Sequence, residues 1–254
     1  MGYIGRDVEI VELDGSLCLV GACDSCGAVG SKDRDIINVP AALVGQLTAR
    51  VVLMEVVAVG GRPVMMTVGI CAEREPTGRE IIKGIEQELA AAGLTGLSLA
   101  VSTEKNFTPS QTGLGIGVTG TCRKSDLRIG GSMAGDQVFV LGLPRVGDEV
   151  ADASDTDLPA VPHLQALLTS PGIRDVVPVG SRGILAEIRD LARHSQTAFS
   201  PVPDPVPDML KSAGPSTCVV FTAEASWQPA DAPSSLRKLP LSAVGSLTDY
   251  SKQQ

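Results

Sequence analysis

Hydrophobic and polar positions along this chain follow two periods, and each period predicts a kind of element. Alternating apolar residues predict strands over residues 8–13 and 17–22, which the turn residues Asp14-Gly15 join as a hairpin. The run over residues 40–60 is apolar almost all the way round, so it predicts a buried helix. Glycine at position 60 is typical of a helix end, and Pro63 cannot continue the helix.

The later segments predict further strands and helices in two groups, which indicates an α/β (α+β) fold of two domains. We place an N-terminal domain with a mixed sheet at residues 1–126 and a smaller α/β domain at residues 127–223. Residues 224–254 are rich in proline, serine and polar residues, so we expect a tail that is poorly ordered or docks late. Strands are expected at 64–71, 97–101, 113–120, 136–142, 175–179 and 217–222, and helices at 77–93, 162–170 and 183–194.

Two charges interrupt the long apolar helix, and one of them needs a partner from elsewhere. Arg50 and Glu55 lie five residues apart, about 140° around an ideal helix, so they do not face each other. A buried carboxylate costs free energy unless a positive charge holds it. We therefore expect a metal ion or another chain segment opposite Glu55; the alternative is a core helix whose Glu55 reaches solvent at one edge.

Composition narrows the function classes. The 254 residues are 43% hydrophobic and 3% aromatic, so Val, Leu, Ile and Ala must form the core. A net charge of −8 disfavours nucleic acid as the main partner, and a protein of this charge needs cations to handle phosphates. The apolar run at residues 40–60 is long enough to span a membrane, but it contains the polar residues Gln46, Arg50 and Glu55, which disfavour a span. The N-terminus lacks a signal-peptide pattern, so we expect a soluble, cytoplasmic protein.

Six irregularly spaced cysteines do not predict a disulfide scaffold. Cys23 and Cys26 have the CxxC spacing of a redox pair or half a zinc site. No second CxxC follows, however, and His163 and His194 are far away in sequence. We expect plain reduced cysteines, with the thiol pair as the alternative.

Four acidic residues stand at the ends of predicted elements. Asp7 precedes the first strand, Asp24 follows the second, Glu55 is near the end of the long helix, and Glu104 follows the strand at 97–101. If folding brings such carboxylates together, they suit Mg²⁺, which prefers oxygen ligands and substrate phosphates. The alternative is a set of acids scattered over the surface.

Small residues shape two further segments. Residues 23–35 are small and charged, so we expect this segment to become ordered only on a ligand. In residues 113–120 glycine alternates with apolar residues, which leaves one sheet face bare for another layer, a ligand or a second subunit. No helix opens after this strand, so it is not a dinucleotide-binding loop.

These positions resemble the superfamily of ATP-binding proteins related to aminoimidazole ribonucleotide (AIR) synthetase, which includes thiamine-monophosphate kinase. Gly5-Arg6-Asp7 is similar to its early acidic pair, although Arg6 replaces one acid. Asp24 occupies the position of the family's Asp at a strand end, and Glu55 occupies that of the family's helix acid before a Gly-x-x-Pro turn. Residues 102–104 correspond to the family's Gly-Asp-Thr motif, and residues 134–136 correspond to its Pro-Gly-Asp motif.

Within that superfamily, EPTGREII, STEKN, QTGLG and KSAGPSTC make the chain most similar to alpha-ribazole kinases. Residues 180–183 depart from the family's Ser-Asp-Gly-Gly turn, which argues against a thiamine-phosphate site. The resemblance implies a two-domain fold with an ATP-binding N-terminal sheet. It also implies an ATP- and Mg²⁺-dependent kinase acting on the 5′-hydroxyl of a nucleoside, alpha-ribazole, a precursor of the lower cobalamin ligand. The glycine-bearing sheets of two subunits pack together in relatives, which implies a homodimer.

The same resemblance implies roles for individual residues. Lys32 or Lys105 would place positive charge on the γ-phosphoryl oxygens, and Glu104 or Asn106 would orient the acceptor hydroxyl. The implied sets are Asp7, Asp24 and Glu55 for metal, Lys32, Ser102, Thr103, Gln111 and Thr112 for ATP, and Glu104, Lys105 and Asn106 for catalysis.

Two other classes of function remain open at this point. One is a different phosphotransferase or ATP-dependent ligase of the same superfamily, acting on a carboxylate or thioamide. The other is a non-catalytic nucleotide-binding protein whose acids no longer hold metal. Analysis of the products separates a kinase from a ligase, and titration with ATP and Mg²⁺ identifies a protein that only binds.

Overall fold

The structure, a computed structural model, describes residues 6–250, except the side chain of Asp155. Predictions that fall on residues 1–5 and 251–254 lie outside the described residues. Within them, two five-stranded sheets and several helices form a mixed α/β architecture, which confirms the fold class expected from the sequence.

The first sheet and two helices come from the first half of the chain. Their bounds are β1 (Val8–Glu12), β2 (Leu17–Gly27), the short β3 (Val29–Gly30) and β4 (Ile37–Asn38), α1 (Ala41–Ala58), β5 (Arg62–Ile70), α2 (Arg79–Ala91), β6 (Ser98–Thr103) and β7 (Gly113–Arg123). The strand order is β1-β2-β7-β5-β6, antiparallel except for the parallel pair β5–β6, so this sheet is mixed as expected. Strands β3 and β4 form a separate small parallel pair.

The alternation in β7 decides which face of the first sheet is covered. Leu114, Ile116 and Val118 are buried on the face that packs against α1, whereas the glycines between them lie on the open face. The amphipathic pattern of α2 buries Ile81 and Ile85, as its sequence predicts. Glycines at the crossing of α1 and α2 allow the two backbones to approach closely.

The second sheet comes from the rest of the chain. The bounds are β8 (Gln137–Gly142), α3 (Asp148–Ala151), α4 (Val161–Thr169), β9 (Ile173–Pro178), α5 (Ile184–His194), β10 (Thr197–Pro201), β11 (Cys218–Ala223) and β12 (Leu241–Asp249). Its order is β10-β12-β8-β11-β9, with antiparallel pairing throughout. Val138 and Val140 of β8 join the apolar cluster of α5, while Phe139 and Leu141 join the cluster of α1 and α4.

Helix α1 packs against both halves of the chain. It contacts β2, β5 and β7 of the first sheet, and α4 and β9 of the second half. Ala41–Ala58 is the one helix within residues 6–250 that has the length and hydropathy of a membrane span, and 78% of that window is buried inside the protein. Such burial is compatible with a core helix of a soluble protein.

The structure differs from the expectation for the C-terminal tail. Residues 241–249 form β12, which lies between β10 and β8 rather than at an edge. Ahead of it, the Trp227 ring packs edge-on against Phe139, with centroids 4.9 Å apart, and against Phe221 at 5.5 Å. The expectation of poor order was wrong for residues 224–250, because strand pairing and aromatic packing outweigh their polar composition.

The segment at residues 23–35 also differs from the expectation that only a ligand orders it. Its first residues continue β2 as far as Gly27. The Asp35 carboxylate then accepts hydrogen bonds from the amides of Lys32 (2.9 Å) and Thr112 (2.7 Å) and from the Thr112 hydroxyl (2.7 Å). Contacts of the chain itself therefore hold this loop.

Candidate functional site

A cavity of about 1040 Å³ brings together the three predicted magnesium ligands. Asp7 lies directly ahead of β1, Asp24 lies within β2, and Glu55 lies in the last turn of α1; all three line the cavity. None of the described residues that line it is Lys, Arg or His. Much of the remaining wall is apolar and includes Val29, Val39, Leu43, Leu47, Val146 and Val150.

The pleat of β2 explains why Asp24 faces this cavity. Asp24 lies opposite Ile116 in the sheet, and Ile116 is buried on the covered face, so both side chains point the same way. Burial raises the pKa of the Asp24 carboxyl, and the nearby Asp7 carboxylate raises it further. The site therefore concentrates negative charge in a partly desolvated place.

Glu55 is the most deeply buried of the three acids, with 6% of its surface exposed. Burial raises the pKa of its carboxyl to about 8; the Arg6 guanidinium lowers this pKa, and the carboxylates of Asp7 and Glu187 raise it. No hydrogen bond or ion pair reaches the Glu55 carboxylate from any residue in the described part of the chain. A buried carboxylate without a direct partner, facing a cavity, is a candidate ligand for a cation.

Sequence reasoning missed a fourth acid beside this site. Glu187 of α5 is 5% exposed, and burial raises its pKa to about 7 although the Arg182 guanidinium, 3.2 Å away, lowers it. The Asp7 carboxylate also raises the pKa of Glu187, although Glu187 itself does not line the cavity. Glu187 lies on the apolar stripe of α5 with Ile184 and Ile188, so the reasoning applied to Glu55 would have found it.

The donor set suits a hard cation only together with a ligand. In residues 6–250, no group of three or more His, Cys, Asp or Glu side chains is arranged to hold a metal ion. Mg²⁺, however, usually takes one or two protein carboxylates and completes its shell with water and phosphate oxygens. Asp7, Asp24 and Glu55 fit that kind of site, because they offer oxygen atoms from three separate segments of the chain around one cavity.

The three residues predicted as catalytic lie elsewhere. Glu104, Lys105 and Asn106 follow β6 and do not line the cavity. The Glu104 carboxylate accepts a hydrogen bond from the backbone N–H of Asn106 at 2.6 Å, and this bond lowers the pKa of Glu104. Lys105 and Asn106 are exposed. In this structure the three residues form a surface turn.

The predicted ATP-binding residues fall into two groups. Lys32, Gln111 and Thr112 belong to one loop cluster, in which the Gln111 amide donates to the Arg34 carbonyl at 2.7 Å. The Lys32 ammonium pairs with Glu73 at 2.6 Å. Burial raises the pKa of Glu73, but hydrogen bonds from Lys32 and Thr77 outweigh burial and lower it to about 2. Lys32 thus has a carboxylate partner already.

Ser102 and Thr103 form the second group and point to opposite faces of β6. Ser102 lines a groove of about 710 Å³ on the open face of the first sheet. Asp24, together with Cys23 and Thr67, lines both this groove and the larger cavity, so Asp24 stands where the two meet. Thr103 does not line either space.

The strand geometry separates the two cysteines of the CxxC segment. Cys23 and Cys26 are three residues apart in β2, so their side chains point to opposite faces of the sheet. Both are free cysteines, and Cys23 is exposed. This placement does not suit a disulfide between the two or a zinc ion that they share.

Comparisons with known proteins agree on the fold. Residues 5–119 match the family model described as AIR synthase related protein, N-terminal domain. No curated protein sequence matches the chain. The solved structures described next extend the likeness of fold beyond these residues.

Several solved structures share the fold across most of the chain. HypE from E. coli, a hydrogenase maturation protein, is 14% identical with a TM-score of 0.66, over 90% of this chain and 80% of its own. Thiamine-monophosphate kinase from Stenotrophomonas maltophilia is 18% identical with a TM-score of 0.63, over 97% and 88%. The Aquifex aeolicus thiamine-monophosphate kinase is 12% identical with a TM-score of 0.64, over 96% and 89%.

Proposed function

We propose that this protein is an ATP- and Mg²⁺-dependent kinase that phosphorylates the 5′-hydroxyl of a nucleoside, alpha-ribazole. One observation carries the choice of acceptor: the described wall of the 1040 Å³ cavity combines four acids with many apolar side chains and contains no Lys, Arg or His. Such a wall favours a neutral acceptor with an apolar base. A phosphorylated acceptor such as thiamine monophosphate would meet uncompensated carboxylates.

The similar fold of a kinase crystallised with AMPPCP and TMP, at 15% identity and a TM-score of 0.63, supports ATP as the phosphoryl donor. We propose that the nucleotide lies in the open-face groove and the acceptor in the cavity. Asp24, which lines both, would stand between them. Gly69, Gly115 and Gly117 line the groove without side chains, which leaves the backbone accessible to a ligand.

Phosphoryl transfer passes through a loose transition state that requires positioning and charge neutralisation. Asp7, Asp24 and Glu55 would hold Mg²⁺, which supplies that neutralisation against the ATP phosphates. Lys32 is proposed to leave Glu73 for the γ-phosphoryl oxygens, or Lys105 to reach them. We propose that Glu104 or Asn106 orients the acceptor hydroxyl. Because neither residue lines the cavity, this role requires that the loop after β6 move.

We also propose a homodimer through the part of the open face of the first sheet that lies outside the nucleotide groove. Val11 (55% exposed) of β1 and Val64 (44%) and Met65 (41%) of β5 are exposed apolar residues that do not line the groove. A second sheet packed there would bury them. The mass in solution tests this part: a monomer at micromolar concentration would contradict it without affecting the proposed activity.

The substrate proposal is tested by ADP release and product analysis with two acceptors. We expect ADP release with alpha-ribazole, phosphate retained on its 5′-hydroxyl by ³¹P NMR, and turnover of thiamine monophosphate lower by at least about a hundredfold, near 2.7 kcal/mol. Turnover of thiamine monophosphate alone would reject the acceptor. Inorganic phosphate as the product, with a carboxylate or thioamide consumed, would identify a ligase, and ATP binding without turnover a binding protein.

A further inference from the structure

Two loops from the second half of the chain meet at the wall of the cavity. The first, at residues 179–183, follows β9, and the second, at residues 212–217, leads into β11. Strands β9 and β11 are paired, and the Val179 amide continues this pairing by donating to the Cys218 carbonyl at 3.0 Å. The two loops therefore start side by side. Five of their residues line the cavity: Gly180, Ser181, Gly214, Pro215 and Ser216.

Ser216 carries a buried hydroxyl that has no partner among the described residues. The residue is 2% exposed and lines the cavity. Its hydroxyl forms no hydrogen bond with any residue in 6–250, yet the oxygen is not fully enclosed by protein atoms. Because a buried hydroxyl without a partner costs free energy, such a group at a cavity wall indicates a ligand that completes its hydrogen bonding.

Two backbone amides of the same loops also lack an acceptor. In the part of the chain that the structure describes, no carbonyl or side chain accepts a hydrogen bond from the N–H of Ser181 or of Ser216. The loops are close here, because a Cβ built on Gly214 would lie 4.0 Å from the Ser181 nitrogen. The loops thus offer three donors, two amides and one hydroxyl. Donors of this kind bind oxyanions without a positively charged side chain.

The Asp7 carboxylate borders the first of these loops. Its Oδ2 atom lies 3.8 Å from the position that a Cβ built on Gly180 would occupy. A divalent cation held by Asp7 would therefore lie next to the loop, and such a cation completes its shell with phosphate oxygens. None of the described residues that line the cavity is Lys, Arg or His. Stabilisation of an oxyanion in this cavity is thus left to the cation and to neutral donors.

We propose that Ser216 and the Ser181 amide hold a phosphate group in the cavity, beside the divalent cation, by donating hydrogen bonds to its non-bridging oxygens. In the proposed reaction this is the phosphoryl group that has reached the acceptor, and Ser216 forms no covalent bond to it. The identity of that group rests on the proposed function, whereas the phosphate site itself does not require a kinase. Three donors suffice for one phosphate, so an acceptor that already carries a phosphate would compete with the transferred group.

A titration of inorganic phosphate in the presence of Mg²⁺ tests the site on the full chain, without ATP or an acceptor. We expect the natural chain to bind phosphate and Ser216→Ala to bind it at least about tenfold more weakly, because a hydrogen bond to a charged group is lost. Calorimetry measures both affinities. Absence of phosphate binding in the natural chain, or unchanged affinity in Ser216→Ala, would overturn the proposal.

Thr48→Val is the matched control. Thr48 is buried in the wall of the same cavity, but its hydroxyl already donates to the Val44 carbonyl at 2.8 Å. This substitution also removes one hydroxyl from the wall, and it should leave phosphate affinity near that of the natural chain. Equal losses in Thr48→Val and Ser216→Ala would show a general effect on the cavity and would contradict a specific role of Ser216.

A second variant at position 216 guards against a failure of Ser216→Ala to fold. Ser216 has a positive φ of 52°, which glycine adopts more readily than other residues. Ser216→Gly therefore removes the hydroxyl while it favours the native backbone, and we expect the same loss of phosphate affinity. A folded Ser216→Gly protein that binds phosphate like the natural chain would refute the proposal.

Kinetic measurements separate this inference from the kinase assignment. If the chain is a kinase, Ser216→Ala should lower kcat at least about tenfold and leave the KM for the acceptor near its natural value, because the donor acts on the phosphoryl group. A raised KM for the acceptor with unchanged phosphate affinity would assign Ser216 to the acceptor and overturn the proposal. A chain that binds phosphate through Ser216 but shows no turnover would keep the site and lose the kinase assignment.

Discussion

Two charges on the same helix, Arg50 and Glu55, have opposite surroundings. Both are buried, at 2% and 6% exposure. Arg50 meets Glu88 of α2 through two bonds, Nε to Oε1 at 3.0 Å and Nη2 to Oε2 at 2.7 Å. Glu55, one and a half turns later, faces a cavity and has no such partner among the described residues.

The difference indicates that burial alone does not separate a charge that holds the fold together from one that is free to bind a ligand. At Arg50, in the middle of α1, the chain supplies the opposite charge in bidentate geometry, so the ion pair is part of the helix contact. At Glu55, near the end of α1, no described residue forms an ion pair with the carboxylate, which remains available to a ligand. The pairing, rather than the burial, marks the site.

The largest effect is expected where the pair is broken. Glu88→Gln leaves the buried Arg50 guanidinium without its carboxylate, which should destabilise the fold by about 3 kcal/mol or more. Urea unfolding followed by circular dichroism measures this loss. Activity per folded molecule should stay near that of the natural chain. A stable protein that has lost ATP turnover would reverse the roles assigned to Arg50 and Glu55.

The second effect concerns the unpaired charge. Glu55→Gln keeps the shape of the side chain and removes its charge, so we expect turnover of alpha-ribazole to fall by at least about a hundredfold, near 2.7 kcal/mol. Stability should not fall, because a buried carboxylate without a direct partner is removed. Full activity in this variant, measured by ADP release, would exclude Glu55 from the metal site.

The third expected effect is a dependence of folding stability on pH that comes from the buried acids. In the folded protein the pKa of Glu55 is raised to about 8 and that of Glu187 to about 7, from an ordinary 4.5. Between pH 4.5 and these raised values the native state therefore binds more protons than the unfolded chain. Their contribution to stability is therefore complete below pH 4.5 and is lost as pH rises towards 8, by an amount on the order of a few kcal/mol without metal.

Thermal unfolding in EDTA between pH 5 and 8.5 measures this slope. Glu55→Gln is the matched variant and should flatten the decline, leaving the part due to Glu187. A natural chain that becomes more stable towards pH 8 in EDTA would contradict the assignment of Glu55 as a buried, proton-binding carboxylate.

The smallest effect is expected at the edge of the cavity. Asp24→Asn should weaken Mg²⁺–ATP binding by more than about tenfold, roughly 1.4 kcal/mol, since it removes one of several charges around the cation. Calorimetric titration measures the change in affinity for Mg²⁺–ATP. Asp33→Asn, in the loop between β3 and β4, is the control and should retain the affinity of the natural chain. Unchanged affinity would remove Asp24 from the metal site.

Local patterns predicted much of the framework. Helix α1 and the turn after it follow from the apolar run and from Gly60, whose positive φ of 85° needs glycine at the close approach to the Asp126 carbonyl. The alternation in β7 predicted one covered and one open face. These features depend on neighbours within a few residues, so the sequence carries them directly.

Pairing between distant segments could not be read from such patterns. Residues 241–249 are polar enough to resemble a tail, and only their registry with β8 and β10 makes them an internal strand. The candidate site shows the same limit. The acid at position 55 could be singled out from its cost of burial, but Arg6 and Glu187 are neighbours of it only in space.

The sequence by itself determined that Arg50 and Glu55 could not pair with each other, and it predicted a cation or another segment opposite Glu55 or an opening to solvent, because spacing fixes the angle around a helix and burial penalises charge. Only the tertiary structure decided which charges are paired. It paired Arg50 with Glu88, left Glu55 beside the cavity without an ion-pair partner among the described residues, and kept residues 104–106 out of the cavity wall. Contacts between residues far apart in sequence depend on how sheets and helices pack, and periodicity carries no information about that packing.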